Sequence, residues 1–346
     1  MAGGEQYRKE IAEQPAVLQT VLRKEKAGIE AIAEEILRVR PSYGLLAARG
    51  SSDNAARYAQ YVLGVFNRLT CALATPSVST VYESPPDMKG SLTIGLSQSG
   101  QSPDIVRVVQ LAAQQGAMTL AITNDPTSPL AQVAGNVIGL CAGSESAVPA
   151  TKTYTAELMV IAMLSAALRR SEEGWAVLEQ VAQAVQTTLD LNAFIAGVEG
   201  FVGMKHLVVI GRGFNYATCF EVALKINEIS SVLALPFSLA DFFHGPVATL
   251  GPETPMLLIA PRGKLDAQLP KLLSAAATHQ ARLIVISDDE ALLRRADVAL
   301  RLPAMPEWIS PLCAVVAGQL FSAALADVKV QDPDEPRGLS KITLTY

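Results

Sequence analysis

An internal repeat constrains this chain more than any other feature of its 346 residues. Gly44-Leu-Leu-Ala-Ala-Arg49-Gly50 matches Leu207-Val-Val-Ile-Gly211-Arg212-Gly213, each an apolar run that ends in Arg-Gly. At the same offset, Ser91-Leu-Thr-Ile-Gly-Leu-Ser-Gln-Ser99-Gly100 lands on Pro255-Met-Leu-Leu-Ile-Ala-Pro-Arg262-Gly263. To within one residue, Thr119-Leu-Ala-Ile-Thr-Asn124-Asp125 lands on Arg282-Leu-Ile-Val-Ile-Ser-Asp288-Asp289. Three strand-plus-turn matches in one order argue duplication. The runs are short and rich in Val, Ile and Leu, which suits parallel strands buried on both faces. Helical segments alternate with them, over 54–66, 102–115 and 128–134 in the first half and over 216–231 and 267–278 in the second. The expected fold is therefore α/β, with two tandem doubly wound parallel-sheet domains. The expected division is a helical arm over 1–42, a first domain over 43–170, a connecting helix within 171–200, a second domain over 201–330 and a tail over 331–346. A buried helix is expected over 155–170 and one long helix over 175–195.

Composition narrows the partners. A 50% hydrophobic and 18% charged chain of this length can bury two cores. Its net charge is −5 and its Lys and Arg are scattered, which speaks against nucleic acid or an anionic membrane as partner. Cys71, Cys141, Cys219 and Cys313 lie far apart with no CxxC or Cys/His pattern. They read as small reduced residues, with no metal site and no cofactor expected. The N-terminus has no apolar run of the signal-peptide kind, and the most apolar stretch, 158–168, falls short of the about 20 residues that span a bilayer. A soluble, cytoplasmic protein is expected.

In open parallel sheets, ligands sit beyond the carboxyl ends of the strands. After the strand at 91–96 comes Ser97-Gln98-Ser99-Gly100-Gln101-Ser102-Pro103. Hydroxyls, a glycine and a helix start with Pro in its first turn suit a phosphate without Lys or Arg. The first strand ends similarly in Gly50-Ser51-Ser52-Asp53-Asn54. The same turns also read as ordinary N-caps. The matching loop of the second half, Pro261-Arg262-Gly263-Lys264, lacks the serines, so one half has kept an anion cradle and the other has diverged.

At this point the sequence resembles the sugar isomerase (SIS) family, in the branch that includes the isomerase half of glucosamine-6-phosphate synthase and stand-alone deaminases. The motifs are Arg49-Gly-Ser-Ser52, Leu96-Ser-Gln-Ser-Gly-Gln-Ser102, Pro149-Ala-Thr-Lys-Thr-Tyr154, Glu221-Val-Ala-Leu-Lys-Ile-Asn-Glu-Ile-Ser230, Phe243-His-Gly-Pro246 and Asp332-Pro-Asp-Glu-Pro-Arg-Gly-Leu-Ser-Lys341. The resemblance implies that Ser51, Ser52, Ser97, Gln98, Ser99 and Ser102 hold a sugar phosphate and its hydroxyls. It implies that Glu228 moves a proton between carbons 1 and 2, with Lys225 beside it. His244 would assist ring opening from a partner subunit, so a homodimer with a shared site is expected. Lys341 would form a Schiff base with the open keto-sugar.

The residues read compatibly on their own chemistry. Glu221, Lys225 and Glu228 share one helix face, and a carboxylate partly withdrawn from water trades protons readily. Lys225 and Glu221 are expected to pair, leaving Glu228 as base. Of three histidines, His244 alone sits in a turn; His206 opens a strand and His279 ends a helix. Two departures stand out: Ala150 replaces a serine, and Asn227 replaces a lysine just before the base. Residues 1–42 are too few for a glutamine-hydrolysing domain, and Ala2 follows Met1 where its cysteine would be. The expected reaction is aldose–ketose isomerisation with deamination, taking glucosamine 6-phosphate to fructose 6-phosphate and ammonia. A deglycase acting on a fructosyl-amino-acid phosphate, a plain isomerase and a non-catalytic sensor are the alternatives.

Overall fold

A computed structural model describes residues 3–341. The end of the tail, 342–346, lies outside the described residues, as do Met1 and Ala2. The repeat is visible strand by strand. The first sheet holds β1 (Tyr43–Ala47), β2 (Cys71–Leu73), β3 (Ser91–Leu96), β4 (Met118–Thr123) and β5 (Asn136–Gly139), all parallel, in the order β2-β1-β3-β4-β5. The second holds β6 (His206–Gly211), β7 (Leu233–Ser238), β8 (Met256–Ile259), β9 (Leu283–Ser287) and β10 (Val298–Arg301), again parallel. Its order, β7-β6-β8-β9-β10, is the first order repeated. In both sheets the chain leaves the first strand toward one edge and the third toward the other. The crevice at the carboxyl ends of those two neighbours is where such sheets take ligands.

The chain forms two compact units. One is built on the first sheet from residues 16–145, 152–180 and 340–341; the other is built on the second sheet from 3–15, 146–151 and 181–339. The N-terminal arm is thus two helices with different allegiance. Glu5–Ala12 belongs to the second-sheet unit, and most of Gln14–Val39 to the first. In place of one helix over 175–195, two form, Glu172–Glu179 and Val181–Leu191, where the N–H of Gln180 bonds back to Val177. The helix expected from Asn54 begins four residues earlier, at Gly50.

Each unit has one almost wholly buried helix against the helix that follows its first strand. Lys152–Leu168 packs on Gly50–Asn67, and Ser310–Val328 on Tyr216–Ile229. Ser310–Val328 is long and apolar enough to cross a membrane, but 78% of that stretch is buried inside its unit, so it serves as a core helix.

Candidate active site

The serines of the first half collect at the carboxyl edge of the first sheet. β3 is buried along its whole length and delivers Ser97 to the crevice beside β1. The loop then folds on itself. Ser97 Oγ accepts the N–H of Gly100 at 3.1 Å, and Ser99 Oγ accepts that of Gln101 at 3.3 Å. The Gln98 carbonyl accepts the N–H of Asn124 at 3.1 Å, tying the loop to the end of β4. A hydroxyl that accepts from the backbone still has its own proton to donate. Ser97 and Ser99 can therefore face an anion without loosening the turn. Ser102 begins the helix Pro103–Gln114 and spends its hydroxyl on no backbone cap.

Gly100 cannot be replaced here at no cost. Its φ is +63°, and a Cβ would run into the Ser128 side chain. Gly100→Ala is expected to destabilise the protein by about 1–3 kcal/mol and to weaken sugar-phosphate binding. Urea unfolding and a fructose 6-phosphate titration would show this, and an unmoved midpoint would mean the loop does not need glycine.

Ser51 and Ser52 occupy the first turn of Gly50–Asn67 at the same sheet edge. Ser52, buried like Ser97, differs from the loop serines in its partner: it donates to Glu157 Oε1 at 2.6 Å. The crevice walls are joined by Arg49, whose Nε donates to the buried carboxylate of Asp104 at 2.8 Å. Arg212 of the repeat likewise reaches Gln268 in the second sheet's unit. Sequence reasoning quoted Arg49 only as part of a motif, although its recurrence in both Arg-Gly turns was a usable signal. Glu157 and Asp104 carried none.

The tail lysine belongs to this edge as well. Lys341 Nζ lies 2.7 Å from Glu145 Oε2, and Glu145 also accepts the N–H and hydroxyl of Thr153 at the start of Lys152–Leu168. That helix runs parallel to Gly50–Asn67, since Glu157 meets Ser52 near the two starts and Ser165 meets Asn67 near the two ends. Burial opposes the charge on Glu145, but the Lys341 ammonium and the Thr153 donors hold its carboxyl below the usual range.

The acid–base cluster lies in the other unit, on Tyr216–Ile229. Lys225 is fully buried, with Nζ 2.5 Å from Glu228 Oε2 and 3.5 Å from Glu221 Oε1. The expected Lys225–Glu221 pair is therefore the longer contact, and Glu228 is the nearer partner. Glu228 stands in the last helical turn. There the helix dipole disfavours a carboxylate, and Lys225 offsets it. Burial works against the Lys225 charge, but Glu228 and Glu221 together raise its pKa well above the ordinary value. Glu221 is wholly enclosed, whereas the Glu228 side chain is 19% exposed. Of the two carboxylates, only Glu228 can meet a ligand. The buried Tyr7, from the N-terminal helix, bonds Ser322 and lies within the electrostatic reach of all three.

Asn227 has a structural task. Its side-chain amide exchanges two hydrogen bonds with the backbone of Ala234, at 2.7 and 3.2 Å. β7 is an edge strand, and the amide takes the place of a missing neighbour.

His244 is exposed, in a turn made possible by Gly245 at φ 148°. It follows the carboxyl end of β7, whereas Glu228 precedes the amino end of the same strand. Six strand residues span about 20 Å. Within its unit the histidine and the carboxylate therefore stand at opposite edges of one sheet. Nucleophilic cysteine is disfavoured: burial pushes the thiols of Cys71 and Cys313 up to about 12.

A sequence profile described as the SIS domain matches residues 45–167 and again 201–328. The chain belongs to the SIS family. A glutamine–fructose-6-phosphate aminotransferase (isomerizing) of Thermococcus kodakarensis is 32% identical over 348 residues, covering 96% of this chain and 57% of that protein. The chain thus spans little more than half of that relative's length. A solved chain from Silicibacter pomeroyi DSS-3, described as a candidate phosphosugar isomerase, shares 30% identity at a TM-score of 0.87, covering 95% of this chain and 99% of that one. The C-terminal domain of glucosamine-fructose-6-phosphate aminotransferase from Francisella tularensis shares 25% identity at 0.86, covering 96% and 98%.

In the second SIS domain the matching loop has its backbone donors occupied. Three successive backbone N–H groups are already given to carboxylates of the chain: Arg262 to Asp288 at 2.7 Å, Gly263 to Asp266 at 3.1 Å and Lys264 to Glu307 at 3.1 Å. The donors that would hold an anion are occupied.

Proposed function

We propose that this SIS protein isomerises a hexosamine phosphate between aldose and ketose and releases its amine, taking glucosamine 6-phosphate and water to fructose 6-phosphate and ammonia. The observation that carries the reading is Glu228: a carboxylate in partial contact with solvent, 2.5 Å from the buried ammonium of Lys225. The phosphate would be held by Ser97, Ser99 and Ser102, with Ser51 and Gln98 lining the cradle and Ser52 turning from Glu157 to join them. His244 would pass a proton to the ring oxygen as the sugar opens, a task for which an imidazole is suited. Glu228 would then take the proton from carbon 2 and return one to carbon 1. The resulting imine at carbon 2 accepts water and loses ammonia, either directly or after exchange onto Lys341.

The separation of Glu228 and His244 across the second sheet supports the further reading that each histidine serves a partner's carboxylate in a homodimer. The test of the reaction is ammonia release from glucosamine 6-phosphate, measured in parallel with fructose 6-phosphate. We expect the two in equal amounts, and purified protein that yields neither would reject the proposal.

One observation favours a second reading. A Schiff base needs a neutral amine, whereas Lys341 is paired as an ammonium with Glu145. If that pair persists during turnover, Lys341 takes no imine, and where direct hydrolysis of the imine is also slow the reaction is plain sugar-phosphate isomerisation. Its mark would be ketose formation from an aldose phosphate with no ammonia from the amino sugar.

A further inference from the structure

The amino edge of the first sheet, opposite the serine cradle, carries a second cluster of polar side chains. Three helices of this unit end there: Gln14–Val39, Gly50–Asn67 and Lys152–Leu168. Each is followed by arginine, at Arg40, Arg68 and the pair Arg169-Arg170. Arg40, Arg68 and Arg170 are left-handed, with φ of 54°, 54° and 51°. Glycine is the inexpensive residue at such helix ends, so a guanidinium is retained three times at some conformational cost. The three ends surround a cavity of about 640 Å³, which all four arginines line together with Phe66 and Leu37.

These charges do more than neutralise helix dipoles. Each helix end presents roughly half a negative charge. Glu34 takes Arg170 through two contacts, at 3.0 and 2.7 Å, and Glu173 acts on Arg169. Arg40 and Arg68 form no ion pair among the described residues. Arg169 is stacked 4.2 Å from the Phe66 ring centroid, which fixes one flat wall. Two uncommitted guanidinium groups beside a flat apolar wall match a phosphate attached to a planar ring, and the volume is that of a small-molecule site.

We propose that this cavity binds a nucleotide-class ligand, with its phosphates on Arg40 and Arg68 and its ring against the Phe66–Arg169 wall. The site is separate from the sugar-phosphate cradle and does not depend on what that cradle takes. Calorimetry of the full chain with adenosine diphosphate tests it, with inorganic pyrophosphate as the probe for charge alone. Adenosine diphosphate should bind even under saturating fructose 6-phosphate, and more tightly than pyrophosphate. The variant carrying Arg40→Gly and Arg68→Gly relieves both left-handed positions, so it should fold at least as stably as the parent. It should lose tenfold or more in adenosine diphosphate affinity and keep its fructose 6-phosphate affinity. No binding heat, displacement of adenosine diphosphate by fructose 6-phosphate, or an unchanged affinity in the double variant would each overturn the proposal.

Discussion

Replacing Glu228 by Gln is expected to lower solvent deuterium exchange at carbon 2 of the sugar phosphate by about a thousandfold, within the range for loss of a general base. Sugar-phosphate binding should survive, because the cradle serines lie on other elements. Glutamine keeps the side-chain shape and retains an oxygen for Lys225, so the variant separates proton transfer from packing. The same variant addresses the homodimer. Glu228→Gln mixed with His244→Ala should regain part of the activity if each site draws on two chains, since one mixed site in the dimer would be whole. Exchange that persists in Glu228→Gln would remove the base assignment. A mixture as inactive as its components would remove the shared site.

The largest effect on stability is expected at Lys225. Changing it to Met keeps much of the volume but leaves Glu221 and Glu228 near one another without the intervening ammonium. Breaking a buried ion pair from one side typically costs about 3–5 kcal/mol, because the remaining charge is stranded. Glu221 is fully enclosed, so it should bear most of that penalty. Adding Glu221→Gln to Lys225→Met should therefore recover part of the loss, and a double-mutant cycle in urea would measure the recovery. If Lys225→Met alone unfolds with a midpoint close to the parent's, the cluster is not stabilised by its cation. The base would then need another explanation.

Three strands of each sheet were legible because buried parallel strands are written in Val, Ile and Leu, and because those three were written twice; the remaining two of each sheet were not read from the sequence. β4 and β9, like β3 and β8, meet the same demand for two apolar faces, so their pattern is shared while the loops differ. The break at Gln180 was not legible: the residues on both sides of it favour helix, and tertiary packing decides where one helix stops. The allegiance of the first helix was hidden too, since Tyr7 and Glu10 look like ordinary surface residues of an amphipathic segment until their partners Ser322 and the 146–147 backbone are known.

In the candidate site, local spacing predicted that Glu221, Lys225 and Glu228 share a face. It could not predict which pair is tighter, because the helix end and the depth of burial set that. Glu145, Glu157 and Asp104 are single acids whose partners lie far away in sequence, and no motif connects them. Asn227 shows the reverse case. It looked like a lost functional residue, and the Ala234 backbone gives it a reason to be an amide.

The second loop's three resident carboxylates bear on why the duplicated architecture carries one open serine loop rather than two. Two identical cradles would compete for the same phosphate ester and would divide it between a domain with a base and one without. By supplying Asp266, Asp288 and Glu307 to its own amides, the second domain withdraws from that competition. It keeps the loop ordered with no ligand present. On the proposed reading, this self-capped loop assigns the holding of phosphate to the first domain alone and leaves the second to supply Glu228 and His244.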